Sequence, residues 1–209
     1  MGFILAILAG TTLGYVLERG DFCFHSALRG LFRAPPKYDL FRAYLLTLLL
    51  SIPLVQGMIA LGWIEPWIAP VAWRANLLGG LIFGVGMVVA STCITGLFYT
   101  LGHGMLGMIL ALITWSVGDI LTYRGPLLGV RNWLNSSVVQ VDGSTATILN
   151  ALGSTVGWAI LAVVGAGVAI YLIRAPKADR DPLWRWPLLG VVTALVTSGA
   201  WLVAGVGGC

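Results

Sequence analysis

Between Arg74 and Asp119 lie 44 consecutive residues without one Asp, Glu, Lys or Arg. A run of that length is about twice the roughly 20 apolar residues that carry a helix across about 30 Å of hydrocarbon. It is not isolated. A further 31 charge-free residues separate Asp142 from Arg174, 22 separate Arg42 from Glu65, and the first 17 and last 24 residues are also uncharged. Charged residues make up 10% of the chain, against about 25% in soluble domains, whose surfaces must be wetted. The pattern predicts an all-α integral membrane protein, a single polytopic domain over residues 1–209. Six segments are expected at about 2–18, 43–62, 76–91, 105–123, 152–173 and 187–206. The segments lack the period-2 alternation of a β-barrel. The opening MGFILAILAG has no basic n-region and reads as the first membrane segment rather than a signal peptide.

Charge placement sets a topology. Alternate connections carry nine Lys and Arg on one side and three on the other. The richer side holds the 18–42 and 174–186 connections and reads as cytoplasmic, which leaves the N-terminus outside. Trp63, Trp67, Trp73 and Trp133 then fall at the outer interface, Trp184 and Trp186 at the inner one. The long connection 124–151 is only moderately polar and reads as a surface-lying helix or cap. The net charge of +4 gives no reason to invoke nucleic acid. Three widely spaced Cys exclude a secreted disulfide scaffold.

An internal repeat carries the chemistry. Gly10, Gly14 and Cys23 recur as Gly80, Gly84 and Cys93, each 70 residues on. The copies run over about 10–62 and 80–123. In both, a GxxxG start leads to a polar interruption and then to Cys. Asp21 precedes Cys23, and Ser91-Thr92 precede Cys93; these residue types start helices. Residues 76–90 reach only about 22 Å as a helix. The spacing therefore predicts two interrupted helices in a parallel repeat, since one full crossing lies between them. Irregular backbone at membrane depth lines a cavity or is buried in protein, and such breaks build transporter binding sites. The restarting half-helices would turn their N-termini, with exposed N–H groups and partial positive charge, toward the outer entrance. A thiol there is more reactive. The expected site is an outward-facing anion site lined by two thiols, with no formal charge of its own.

A lone Cys is most often inert packing; two in one register, each just after a break, read otherwise. The Gly pairs read as helix-contact positions. His25 and His103 read as interface or loop residues, with proton carriage the alternative. Asp119 lies within a hydrophobic segment and is either functional, a solvated interface residue, or a partner for Arg124. No Cys, His and carboxylate set has zinc spacing, and no P-loop, HExxH or GxSxG is present. No cofactor or metal is expected.

The segments GYVLERGDFCFHSALRGLF and GGLIFGVGMVVASTCITGLFYTLGHGMLG resemble the YeeE/YedE family of bacterial inner-membrane proteins, a sulfur-compound transport family. Its RGxFC element stands here as Arg19-Gly20-Asp21-Phe22-Cys23, and its GGxxFGxGxxxAxxCxxG element as Gly79 through Gly96. The resemblance covers roughly residues 10–125. It implies uptake of thiosulfate or a related sulfur or selenium species, passed inward by S–H···S contacts at pore cysteines. Cys23 and Cys93 hold the motif positions, and Gly20, Asp21, Ser91, Thr92, Thr95 and Gly96 are the expected binding residues around them. His103, Asp119 and Cys209 are further candidates. Longer family members carry a second half. This chain stops at Cys209, and reads as a fragment or as a short member that pairs with a second membrane half. The competing reading is a membrane-embedded thiol redox or persulfide-carrying enzyme that works with a soluble cytoplasmic partner; a sulfur-carrier protein is a candidate partner for the transporter as well. A third reading is a purely structural half-subunit, which forms no pore without another chain.

Overall fold

The computed structural model describes residues 2–64, 71–138, 140–141, 144–145, 154–174 and 185–206. Helices stand at all six expected positions: α1 (Gly2–Arg19), α3 (Asp39–Ala60), α4 (Trp73–Ala90), α6 (Gly107–Tyr123), α8 (Ser154–Ile173) and α9 (Trp186–Val206). Among the described residues three shorter helices join them: α2 (Phe24–Leu31), α5 (Ile94–Gly102) and α7 (Leu128–Asn135). The only strand pairing among the described residues is a two-residue ladder, Gln140↔Thr145 and Val141↔Ser144. Among the described residues, Asp39–Ile59, Trp73–Gly102, Val156–Ile173 and Trp186–Gly205 are long and apolar enough to cross a membrane, and Gly107–Tyr123 is a shorter apolar helix. The chain is an all-α, multi-pass membrane protein.

Two compact units divide the chain, one of residues 1–67 and 164–209, the other of residues 68–163. In the first, α9 packs against both α1 and α3, and α2 packs on α3. Small residues set the α9–α3 approach: a Cβ on Gly190 would lie 2.9 Å from Leu46 Cβ and 3.0 Å from the Ala43 carbonyl oxygen, and Ala194 is fully buried. Close approach of this kind is how membrane helices gain packing without a hydrophobic driving force between them. The Thr47 hydroxyl reaches the Ala43 carbonyl of its own helix at 2.9 Å and the Gly190 carbonyl of α9 at 3.2 Å.

Helix α3 begins at Asp39, four residues ahead of the expected start, and so takes in Arg42. A charge at a span's end marks a loop in a hydropathy reading, yet Arg42 is 7% exposed. Its guanidinium lies 3.8 Å from Asp39 Oδ1 and over the rings of Tyr38 and Tyr171. An acidic residue in the first turn also suits the helix dipole.

In the second unit, α5 packs on α6, and α7 packs on both α4 and α6. Helix α7 falls inside the 124–151 connection, where a surface helix was expected. It is fastened to the start of α4. The Arg74 N–H donates to Ser137 Oγ at 3.2 Å, Ala72 bridges to Val138, and the Arg74 guanidinium lies over both Trp73 and Trp133. Trp67 and Trp184 fall outside the described residues.

Candidate functional site

Helix α1 ends in a Schellman turn. The Asp21 N–H bonds to the Glu18 carbonyl at 3.1 Å and the Phe22 N–H to the Leu17 carbonyl at 2.9 Å, with Asp21 left-handed at φ 48°. This is the 5→2 and 6→1 pattern that closes a helix. The same pattern ends α3 at Gly62 and α5 at Gly104, where glycine supplies the positive φ without steric cost. At the first break an aspartate takes that place. The second break shares the left-handed residue and the 5→2 bond: Ser91 is left-handed at φ 54°, and its N–H bonds to the Val88 carbonyl at 3.2 Å.

The chain then restarts. Cys23 occupies the N-cap position of α2 and Cys93 that of α5, both with extended backbone and neither with a side-chain capping bond. The first intrahelical bonds run from the Ala27 N–H to the Cys23 carbonyl (3.0 Å) and from the Leu97 N–H to the Cys93 carbonyl (2.9 Å). The N–H groups of residues 24–26 and 94–96 precede those bonds and have no intrahelical acceptor, which makes each terminus attractive to an anion. The two breaks agree atom for atom at an offset of 70 in the left-handed residue, the N-cap and the first bond.

This corrects one expectation. Asp21 and Ser91-Thr92 do not cap the restarting helices; Asp21 and Ser91 terminate the preceding ones, and the cysteines stand at the caps. The physical reason is that Asp and Ser hydrogen-bond locally in several non-helical conformations, so the same letters mark a helix start or a tolerated left-handed end. Thr92 Oγ1 donates to the Cys93 carbonyl at 3.2 Å. A direct test follows. Ser91→Gly should leave stability unchanged or slightly raised, while Ser91→Val, β-branched at positive φ, should lose about 1–2 kcal/mol in detergent unfolding measurements. A stable valine variant beside a destabilised glycine variant would overturn the left-handed assignment.

In the first unit, Gly20, Asp21 and Cys23 come together at the α1–α2 break. Cys23 is 1% exposed and is not in a disulfide. The buried core of this unit comprises Val16, Phe22, Ala27, Leu40, Ala43 and Leu189. Phe22 stacks on Tyr44 with ring centroids 4.0 Å apart, and Phe24 meets Tyr44 edge-on at 5.5 Å. Gly20 is pressed against Leu189 of α9, into whose Cδ1 any Cβ would run. Tyr44 and Leu189 were not legible as site residues: each meets the break only through tertiary packing.

In the second unit, Ser91, Thr92, Cys93, Thr95 and Gly96 come together at the α4–α5 break. Cys93 is 6% exposed and is not in a disulfide, and its Sγ lies 2.9 Å from Thr95 Oγ1. Gly96 is buried, and its carbonyl accepts from Thr100 Oγ1 at 2.6 Å. His103 is not part of this group. It closes the far end of α5, where its N–H bonds to the Tyr99 carbonyl and its ring meets Tyr99 edge-on. Asp119 is exposed on α6 and forms no ion pair with Arg124. Cys209 lies outside the described residues. Among the described residues, no three His, Cys, Asp or Glu side chains are grouped to hold a metal.

Each break thus sets a buried cysteine at a helix restart. A family model described as sulphur transport matches residues 19–208. The chain belongs to the sulphur transport family. The thiosulfate transporter TsuA of Spirochaeta thermophila is 27% identical over 97% of this chain and 63% of its own length. The thiosulfate transporter TsuA of Escherichia coli is 26% identical over 82% of this chain and 48% of its own length. The probable transporter YedE of Escherichia coli is 32% identical over 49% of this chain and 25% of its own length. The chain thus spans about half to two-thirds of the two thiosulfate transporters it matches.

Proposed function

We propose that this protein takes up thiosulfate, or a related small sulfur-containing anion, across the bacterial inner membrane, with its N-terminus outside. The observation that carries the reading is the matched pair of breaks: each ends one helix in a left-handed residue and restarts the next at a buried cysteine outside any disulfide. Exposed N–H groups favour the negative charge, and a polarisable thiol suits the anion's terminal sulfur. Cys23 and Cys93 are the contact residues. Gly20, Asp21, Ser91 and Thr92 shape the breaks, and Thr95 and Gly96 line the second restart. Residues 10–62 and 80–123 act as two copies in one membrane domain. The partners in this reading are a second membrane half or a cytoplasmic sulfur-carrier protein. The transport family and the named relatives support it, and no observation favours the redox enzyme.

The test is uptake of radiolabelled thiosulfate by sulfur-starved cells that lack their other thiosulfate importers. Cells expressing this protein should accumulate label and grow on thiosulfate as sole sulfur source. Equal uptake with and without the protein would sink the proposal.

A further inference from the structure

The loop from α2 to α3 gathers three cations around one bare aromatic ring. The Lys37 N–H donates to the Gly30 carbonyl at 2.9 Å, and a Cβ on residue 30 would lie 2.5 Å from the Lys37 carbonyl oxygen. That closure brings Lys37 back to the last turn of α2, which carries Arg29. Arg33 lies on the bend between them. All three are exposed, and none of the three holds an ion pair among the described residues. Phe32, between Arg29 and Arg33 in the chain, is 89% exposed, more than any other large apolar side chain among the described residues. The loop ends where a span begins. Asp39–Ile59 has 21 residues, about 32 Å of helix, which fills the hydrocarbon and leaves the loop ahead of it at headgroup level.

We propose that this loop is a docking site for the phosphate of an anionic phospholipid: Arg29, Arg33 and Lys37 hold the phosphate, and Phe32 enters the lipid just below it. The site serves the bilayer around the protein, whichever anion the protein carries. The side chains select the occupant. Two guanidinium groups, each able to fork onto phosphate oxygens, and one ammonium group call for a concentrated negative charge. A bare ring beside them calls for an apolar neighbour. A basic segment with an aromatic side chain at the interface is the pattern that binds anionic lipid surfaces. A free anion would satisfy the cations and leave Phe32 in water. A soluble acidic protein would have to reach the loop at the edge of a span, where lipid phosphates already stand.

The experiment titrates the purified full chain in mild detergent with dioleoyl phosphatidylglycerol and with dioleoyl phosphatidylcholine, and reads bound lipid by native mass spectrometry. One basic residue near an anionic lipid surface is worth about fivefold in affinity. With one phosphate shared among three side chains, phosphatidylglycerol should bind about tenfold tighter than phosphatidylcholine. Replacing all three cations (Arg29→Gln, Arg33→Gln and Lys37→Gln together) should bring the two lipids to equal affinity. Phe32→Ser should weaken both lipids alike and keep their ratio. Arg124→Gln, in another connection, should change neither. Equal binding of the two lipids to wild type, or a tenfold ratio that survives in the triple variant, overturns the proposal. If the triple variant fails to accumulate, salt decides the matter on wild type. Exposed charges are screened, so the ratio should fall several-fold between about 0.05 and about 0.5 M NaCl; an unchanged ratio overturns the proposal as well. Inorganic phosphate that displaces the lipid at equal concentration would make the loop a free-anion site, and polyglutamate that displaces it would make the loop a docking face for an acidic protein. Either result ends the lipid assignment, and neither touches the transport reading, which stands or falls on thiosulfate uptake.

Discussion

Cys93→Ala is expected to lower thiosulfate uptake about a hundredfold at unchanged protein level in the membrane. A hydrogen bond to a charged group contributes about 1.5–3 kcal/mol, and each 1.4 kcal/mol is a factor of about ten. The upper end applies because the thiol is buried within the longest charge-free stretch of the chain, where an anion stripped of water has few other partners. Cys93→Ser should keep about a tenth of the activity, since oxygen donates a hydrogen bond but lacks sulfur's polarisability. Cys23→Ala should cost less than Cys93→Ala. Initial uptake rates, normalised to protein in the membrane, measure all three. Full activity in Cys93→Ala at normal expression ends the assignment.

Gly20→Val should destabilise the first unit by about 3 kcal/mol, the upper end of what overpacking costs. The reason is space rather than backbone conformation. A Cβ at residue 20 runs into Leu189 Cδ1 and comes within 3.0 Å of Cδ2 and 3.1 Å of the Val16 carbonyl oxygen. Leu189 is 1% exposed, so its side chain can yield only by displacing its neighbours. Unfolding of the purified protein in detergent reads the loss. A double-mutant cycle identifies its cause. Leu189→Ala alone leaves a cavity that costs about 2–5 kcal/mol, but together with Gly20→Val it should cost less than the sum, by about 0.5–3 kcal/mol. Strict additivity would show that Gly20 and Leu189 do not constrain each other. Uptake by the surviving fraction then reports whether closing the α1–α9 approach disturbs Cys23.

The sequence alone determined the fold class, the six segments, the presence of two breaks and the cysteines at them. These are properties of one-dimensional patterns. Charge-free length is fixed by bilayer thickness, and the offset of 70 between Cys23 and Cys93 is plain in the letters. The backbone role of the residues before each cysteine was not legible. Asp21 and Ser91 carry the letters of a helix start, and only the hydrogen bonds to Glu18 and Val88 with positive φ make them helix ends. Arg42 was read as loop because a charge ordinarily ends a span; Asp39 and two tyrosine rings, one of them on α8, let it lie inside the helix. Tertiary structure alone decided what surrounds the thiols. Leu189 lies 169 positions from Gly20 in the chain and Tyr44 packs on Phe22 from another helix. Such contacts depend on which small residues let helices approach, here Gly20 and Gly190, and hydropathy does not encode that choice because every face of these helices is apolar enough to meet either lipid or protein.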